Sequence, residues 1–174
     1  MHRLVREPDA TRVLYIGAEN WPFPIPLEAV DGGWQFDAEA GIEQVLFRRI
    51  GENEVTAIQV CRALAQTANR RNRDSDPSTQ AIRASLVNAG NDGRAVPFKG
   101  YYVRPLAAQA PKRKAVGRGF AFVAYPAEYR STGVMTYIIS QNGVVYEKDL
   151  GQNTVQIAQG MTKYKHDSTW HPAD

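Results

Sequence analysis

The sequence has one cysteine, no long hydrophobic run and little excess of charge of either sign. Cys61 cannot form an internal disulfide, so a disulfide-stapled fold is excluded. The longest apolar stretches, such as residues 134–139, fall far short of the roughly 20 residues of a membrane-spanning helix. We therefore expect no transmembrane segment. The first residues also have no apolar core of the length that a secretory leader needs, so the chain as written is expected to be cytoplasmic or to have lost its leader.

The remaining composition is that of an ordinary globular protein. The chain has 174 residues, 43% hydrophobic and 22% charged, and 21 Lys and Arg against 18 Asp and Glu give a net charge of +3. So small an excess creates no strong field. A chain of this length buries about two thirds of its unfolded surface and needs no disulfide or metal ion to stabilise its core. Apolar residues recur every three to four positions in some segments and every second position in others. This change of period predicts an α+β fold.

Residues 1–37 are predicted to be a β-rich segment. Strands are expected at 13–16, 25–30 and 34–37, with a turn at Asp31-Gly32-Gly33. The prolines between Trp21 and Pro26 prevent a central strand there, because proline fixes φ and donates no hydrogen bond. The β-rich segment is expected to precede an α+β domain over residues 38–174.

Two helices are predicted next. Asp37 is expected to cap a helix that ends at Gly51, and a second helix is expected over about 52–71. A weaker helix is expected over 79–88. Cys61 falls on the apolar face of the second helix, which favours a buried, inert thiol over a nucleophile. That face is expected to consist of Val55, Ile58, Cys61, Leu64 or Ala65, and Ala68.

From residue 98 onward the period is two, which predicts an antiparallel sheet of four strands. Asn142-Gly143 predicts a hairpin turn of type I′, in which both central residues have positive φ. The 52–71 helix is expected to lie across one face of this sheet, since each has an apolar surface to cover. A short helix is expected over 154–164, followed by a frayed tail. The strands are expected at 100–106, 119–125, 134–140 and 144–149.

Residues 118–125, Arg-Gly-Phe-Ala-Phe-Val-Ala-Tyr, fit the ribonucleoprotein octapeptide of RNA-recognition domains at every position. The aromatic partner strand begins too few residues upstream, however, and the helix that should follow is replaced by the Asn142-Gly143 hairpin. Topology therefore disfavours RNA binding, although the basic residues at 112–118 would suit a phosphate backbone. Nucleic-acid binding is therefore the alternative interpretation of the octapeptide. The favoured interpretation is a half-buried strand without a binding role.

No residue pattern names a reaction, so no catalytic residue, metal site or cofactor is predicted. His166 and His171 have no third ligand beside them, and Glu128 is expected to cap its turn more than to act as an acid or base. The candidate contacts are aromatic, because prolines hold large rings in an extended shape and lower the cost of ordering them. Packing in the core is the competing interpretation. The candidate binding residues are Trp21, Phe23, Tyr101, Tyr102, Glu128 and Tyr129.

Several longer motifs resemble the bacterial family called domain of unknown function 2950. They run in that family's order over nearly the whole chain. Examples are residues 21–27, Trp-Pro-Phe-Pro-Ile-Pro-Leu; Asn53-Glu54; Gly100-Tyr101-Tyr102 with Arg104; residues 126–129, Pro-Ala-Glu-Tyr; residues 132–136, Thr-Gly-Val-Met-Thr; and residues 143–151, Gly-Val-Val-Tyr-Glu-Lys-Asp-Leu-Gly.

The resemblance implies context rather than chemistry, because that family has no assigned activity. Its members are typically exported, which implies a periplasmic or otherwise extracytoplasmic protein. Residues before 38 also resemble the closing strands of a nuclear-transport-factor-like cone. From Glu52 onward the element order is similar to the soluble heads of pilin-like proteins. The resulting hypothesis is a non-catalytic interaction or structural module with an unknown protein partner.

Overall fold

The chain contains one long helix and two antiparallel sheets of five strands each, as described by a computed structural model over residues 1–69, 96–107 and 120–173. The predicted α+β class is confirmed, and the predicted count of four strands in the second sheet is wrong by one. Two compact units divide the chain, Met1–Arg49 and Ile50–Asp174. The basic residues at 112–118 and the helix expected over 79–88 lie outside the described residues.

The first unit contains the first sheet and the beginning of the helix. Its strand order is β1-β2-β4-β5, and β3 pairs with β2. Strand β1 was not expected from the sequence, because it precedes the first clear apolar run. The strands are β1 His2–Arg6, β2 Arg12–Ile16, β3 Trp21–Pro22, β4 Leu27–Val30 and β5 Gly33–Phe36.

Turn residues fix the hairpins of this sheet. Asp9 accepts hydrogen bonds from the Thr11 backbone N–H at 3.0 Å and from its hydroxyl at 2.6 Å, which closes the β1–β2 turn. Asp31 and Gly32 have φ of 39° and 85°, and Val30 pairs with Gly33 across them. Positive φ at both central residues is the type I′ arrangement, which suits the twist of the strands it joins.

Helix α1, Ala38–Asn69, is continuous through the glycine that was expected to end it. The predicted cap is confirmed, since Asp37 Oδ1 accepts a hydrogen bond from the Ala40 N–H at 3.0 Å. The predicted stop at Gly51 is wrong. A glycine inside a helix costs only about 1 kcal/mol relative to alanine, and Ile50 and Ala57 on either side of it are buried. Tertiary packing therefore outweighs the local signal.

The second unit is a meander of strands that ends with a strand from the C-terminal segment. The sheet order is β10-β9-β8-β7-β6, and all pairings are antiparallel. Helix α2 follows β9 and ends earlier than expected. The elements are β6 Tyr101–Leu106, β7 Ala121–Pro126, β8 Met135–Ser140, β9 Val145–Asp149, α2 Thr154–Gly160 and β10 His171–Pro172.

Helix α1 packs on one face of this sheet, as expected. Ala57, Cys61 and Ala65 lie in one buried cluster with Tyr137 and Ile139 of β8. The buried stripe therefore differs from the expected one at its start, because Val55 is 55% exposed. Small side chains at i, i+4 and i+8 let the helix approach the larger residues of the strands.

The other face of the second sheet is covered by α2 and the C-terminal segment. Val123 and Ile138 of the strands share a cluster there with Ala158, Tyr164 and Trp170. The tail is therefore not frayed up to residue 173. The Ala173 N–H donates to the Val145 carbonyl at 2.9 Å, and the tail supplies the fifth strand.

The Asn142-Gly143 hairpin forms with a different turn from the one predicted. The Gly143 N–H donates to the Ser140 carbonyl at 3.0 Å, and Gly143 has φ of 77°. Asn142 is not in the positive-φ region, so type I′ is wrong here. Its Oδ1 instead accepts from the Val144 N–H at 3.2 Å. One left-handed glycine after the turn is the usual longer hairpin connection.

Candidate interaction surface

The proline-bound aromatic segment of the first unit is held in place by Arg48. The Arg48 guanidinium lies 5.2 Å from the Trp21 ring centroid, and its Nη1 donates to the Pro22 carbonyl at 2.6 Å. The Phe23 ring meets Trp21 edge-on at 6.3 Å. Trp21 is nevertheless half exposed, so its ring is ordered without being buried. An ordered, exposed aromatic ring is a low-cost anchor for a contact.

A cleft of about 470 Å³ lies beside this segment. Two of its carboxylates already hold local structure, since Asp37 caps α1 and Asp9 accepts from Thr11. The hydrogen bonds from Thr11 also lower the pKa of Asp9. Part of the cleft lining therefore stabilises the local fold. Its lining is Glu7, Asp9, Thr11, Val13, Tyr15, Pro22, Phe23, Pro24, Pro26, Asp37, Ala40, Gln44 and Arg48.

The first sheet has one face toward α1 and one open face. Val13 and Tyr15 of β2 line the cleft together with Ala40 and Gln44 of α1, so the helix faces that side across the cleft, and Val30 on the same side is 41% exposed. Alternate strand residues point to the opposite side, and directly paired residues share a face. We call this opposite side the open sheet face. Its apolar members are Leu4, Leu14, Ile16, Trp21, Leu27, Ala29, Trp34 and Phe36.

Large apolar side chains of the open sheet face are between 39% and 51% exposed, a group formed by Leu4, Ile16, Trp21, Trp34 and Phe36. Arg48 of α1 contacts the Trp21 ring and Phe23 contacts the Phe36 ring, yet the described residues of Met1–Arg49 leave all five side chains about half exposed. Single exposed apolar residues are normal on a protein surface. A contiguous group on one sheet face is different, because such patches mark contact sites.

The polar strand residues of the open sheet face are arginines and a histidine, and none is acidic. Arg6 lies directly opposite Arg12, and His2 is two residues before Leu4 on the same strand. The Arg12 guanidinium lies 4.5 Å from the Trp34 ring centroid, and its Nε is buried without a hydrogen-bond partner among the described residues. Opposite charges stabilise each other on a sheet surface, so the row of Arg6 and Arg12 favours an anion.

The two tyrosines of the second unit do not form one contact. Tyr101 is 2% exposed in the cluster under α1, and its hydroxyl donates to the Met135 carbonyl at 2.9 Å. Burial and the nearby Glu54 carboxylate raise the pKa of Tyr101 well above its usual value. Tyr102 packs on the opposite face against Tyr125, with ring centroids 5.6 Å apart. A surface contact by the pair is therefore wrong for Tyr101, since neighbouring strand residues point to opposite faces.

Glu128 and Tyr129 lie in the turn between β7 and β8. The Thr132 N–H donates to the Glu128 carbonyl at 2.9 Å, and the Glu128 side chain is exposed. The Tyr129 hydroxyl donates to Asp149 Oδ2 at 3.0 Å. The turn is thus closed through the Glu128 backbone, whereas the sequence had favoured capping by this residue. Glu128 and Tyr129 do not form an enclosed acid–base site.

Two aromatic residues of the octapeptide, Phe120 and Phe122, face α1, and the third, Tyr125, faces the other side of the sheet. Phe120 and Phe122 are partly buried against the cluster that contains Cys61, and their ring centroids lie 6.0 Å apart. Stacking of bases requires an open sheet face. Val123 and Tyr125, on the other side of the same strand, are buried under the C-terminal segment.

The two histidines of the C-terminal segment contact different residues, and Cys61 is buried. His166 stacks on Tyr146 at 4.2 Å, whereas His171 pairs with Glu147 across the sheet. Within the described residues no group of three His, Cys, Asp or Glu could hold a metal ion. Burial raises the pKa of the Cys61 thiol to about 12. Among the helices of the described part, none has the length and apolarity to cross a membrane.

Comparison with known families decides the relationship of the chain. The family described as protein of unknown function (DUF2950) matches residues 1–83 and 68–173. The chain belongs to this family. Comparisons with curated proteins and with solved structures give no match.

The motif residues that resemble DUF2950 meet at one end of the second unit. Glu54 Oε1 accepts from the Val134 and Met135 N–H groups at 2.8 and 3.0 Å, and Asn53 Nδ2 donates to the Thr132 carbonyl at 2.9 Å. A Cβ on Gly133 would clash with the Tyr101 hydroxyl. These DUF2950 motifs therefore tie α1 to the sheet, which is a structural duty.

Another DUF2950 motif residue, Arg104, also has a structural role. Its Nη2 donates to the carbonyls of Ala158 and Gln159 at 2.7 and 2.9 Å. These carbonyls lie at the C-terminal end of α2, where a cation is favoured by the helix dipole.

Sequence reasoning did not single out Leu4, Trp34 and Phe36 of the open sheet face. A signal for two of them was present, because Trp34-Gln35-Phe36 alternates apolar and polar residues as a half-buried strand does. That alternation predicts one apolar face. It does not say whether the rest of the chain covers that face.

Proposed function

We propose that this DUF2950 protein is a non-catalytic, extracytoplasmic interaction module that binds a partner protein through the open sheet face. The observation that carries the proposal is the row of half-exposed apolar side chains on one face of the first sheet. The second unit, with both faces of its sheet covered, supplies a stable body.

The absence of a catalytic role is supported by what the candidate side chains do. Tyr101 and Tyr129 donate to the Met135 carbonyl and to Asp149 within the fold, and Cys61 is enclosed in the core. A general acid or base must instead reach a substrate proton at hydrogen-bond distance. Glu128 is exposed and lies in the turn between β7 and β8.

The extracytoplasmic location is proposed from the family resemblance alone, since DUF2950 members are typically exported. The similarity to pilin-like soluble heads is kept as a proposal about architecture. It is supported by one helix lying across an antiparallel meander in the second unit. Assembly into a fibre is not part of the proposal.

Site-specific photo-crosslinking in producing cells tests the proposed contact. A photoreactive phenylalanine analogue at position 34 is expected to form a defined adduct with another protein. The control is the same analogue at Ile157, which is 43% exposed on α2 of the second unit. Equal yields of the same adducts from the two positions would contradict a specific contact, as would no adduct from position 34. Fractionation of the same cells tests the location, and a cytoplasmic pool alone would contradict export.

A further inference from the structure

Resting on the proposed function, we infer that the partner of the open sheet face is an amphipathic helix with carboxylates along one edge. The apolar side of that helix covers Leu4, Leu14 and Trp34. Its carboxylates pair with Arg6 and Arg12, whose row lies between the row of Leu4 and Leu14 and the row of Trp34.

The size of the patch selects a single element as the partner. Aromatic side chains bury about 150–250 Å² each, so three half-exposed rings offer roughly 75–125 Å² each. With Leu4 and Ile16, the face offers a few hundred Å² in all. A stable dimer of globular proteins needs about 800 Å² from each partner. One side of an amphipathic helix matches the smaller area, as in other helix-binding surfaces.

The charge of the face selects the sign of that helix. The strand positions of the open sheet face include Arg6, Arg12 and His2 and no acidic residue. A carboxylate at this row would be attracted to both guanidinium groups. A basic helix would add a third positive charge at the same place.

The same charges argue against a second copy of the chain as the occupant. A two-fold symmetric contact places the same surface on both sides. Two open sheet faces would then bring together four arginines with no carboxylate from either face. Electrostatic complementarity is what fixes register and suppresses wrong partners, and that arrangement has none.

Binding of two designed peptides to the full chain tests the inference. Each peptide has about 18 residues, enough for a helix of about 27 Å, with leucines on one side and either glutamates or lysines on the other. Tryptophan fluorescence and the salt dependence of binding are measured. The glutamate peptide is expected to bind about five- to thirty-fold more tightly at low salt, with the difference shrinking as salt is added.

Charge reversal provides the control. The double variant Arg6→Glu and Arg12→Glu is expected to prefer the lysine peptide. Arg3→Glu lies on β1 but on the opposite side of the sheet, and it is expected to keep the wild-type preference. Trp34→Ala is expected to weaken both peptides while circular dichroism shows the fold intact.

Each other outcome has a defined meaning. Equal affinity for both peptides, lost in Trp34→Ala, would overturn the acidic partner and leave a contact through the open sheet face standing. No binding of either peptide would overturn the helical partner, while a crosslink from position 34 would still support the proposed function. Dimerisation of the chain that Trp34→Ala abolishes would show a second copy to be the occupant and overturn the inference.

Discussion

The two sheets have the same number of strands, but within residues 1–69, 96–107 and 120–173 only the second has both faces covered. Val123 and Ile139 of the second sheet are 0% exposed, whereas Trp34 and Phe36 of the first are 48% and 50% exposed. Helix α1 covers one face of the second sheet, and α2 with the C-terminal segment covers the other. The first sheet has the helix on one side alone. The second unit therefore contains the buried core, and the first sheet provides the surface of the proposed contact.

Strand composition follows the same division in part. Strand β8, Met135–Ser140, is an almost continuous apolar run, as strands buried on both faces are. Strand β5, Gly33–Phe36, alternates, as strands with one wet face do. In β5, however, all four residues are exposed, so its apolar side is not buried. The comparison therefore teaches that alternation defines two faces without deciding which of them the fold covers.

The largest expected effect concerns thiol accessibility in the two regions. In a Trp34→Cys variant, the new thiol is expected to react at once with a maleimide, while Cys61 reacts only through unfolding. Global unfolding costs at least about 5 kcal/mol, so Cys61 is expected to react more than about a thousandfold more slowly. Peptide mapping by mass spectrometry measures both rates in one sample. Rapid labelling of Cys61 in the folded protein would break the comparison, and equal rates in urea would serve as the control.

The next effect is the cost of shortening a buried or a half-exposed side chain. Ile139→Ala is expected to lower the free energy of unfolding of the second unit by about 2–5 kcal/mol, because it leaves a cavity. Phe36→Ala is expected to cost about 1 kcal/mol, mainly through its ring contact with Phe23 at 5.6 Å. Urea unfolding measures both. Similar costs at the two positions would mean that the first sheet is buried in solution.

Two glycines of the second unit sharpen the account of its packing. Gly133→Ala is expected to cost about 1–3 kcal/mol, because its Cβ would lie within 2.6 Å of the buried Tyr101 ring. Gly51→Ala has no atom within 4 Å of its Cβ and lies in a helix. It is expected to stabilise the protein by up to about 1 kcal/mol. The midpoint temperatures of thermal unfolding of the two variants are therefore expected to shift in opposite directions. A shift of the same sign would contradict the structure at one of these positions.

The smallest effect is a pH dependence that belongs to the second unit. Burial raises the pKa of Cys61 from 9.0 to about 12. Above pH 9 the unfolded thiol loses its proton while the folded thiol keeps it, so the folded state binds more protons and stability falls as pH rises. This group is expected to remove about 1 kcal/mol of unfolding free energy between pH 9 and pH 10. Cys61→Ala provides the control, and an identical pH dependence in that variant would contradict the assignment.

Local signals were sufficient for the kinds of elements and for several of their ends. Asp37 caps α1 as predicted, because a side-chain cap acts within one helical turn. The strands β6 to β9 lie within two residues of their expected bounds, since alternation is a property of the strand itself. The prolines around Trp21 and Phe23 likewise marked the ordered aromatic segment of the candidate surface.

Features that depend on residues distant in sequence became visible in the folded chain. The tertiary structure carried α1 through Gly51 and buried Ala57 in place of Val55, because packing against the sheet outweighs a local cost of about 1 kcal/mol. It also recruited the C-terminal segment as the fifth strand through contacts with β9. Above all, it placed α1 on one side of the first sheet. The apolar side that holds Trp34 and Phe36 was left open, because coverage depends on where a second element packs and not on the strand's own pattern.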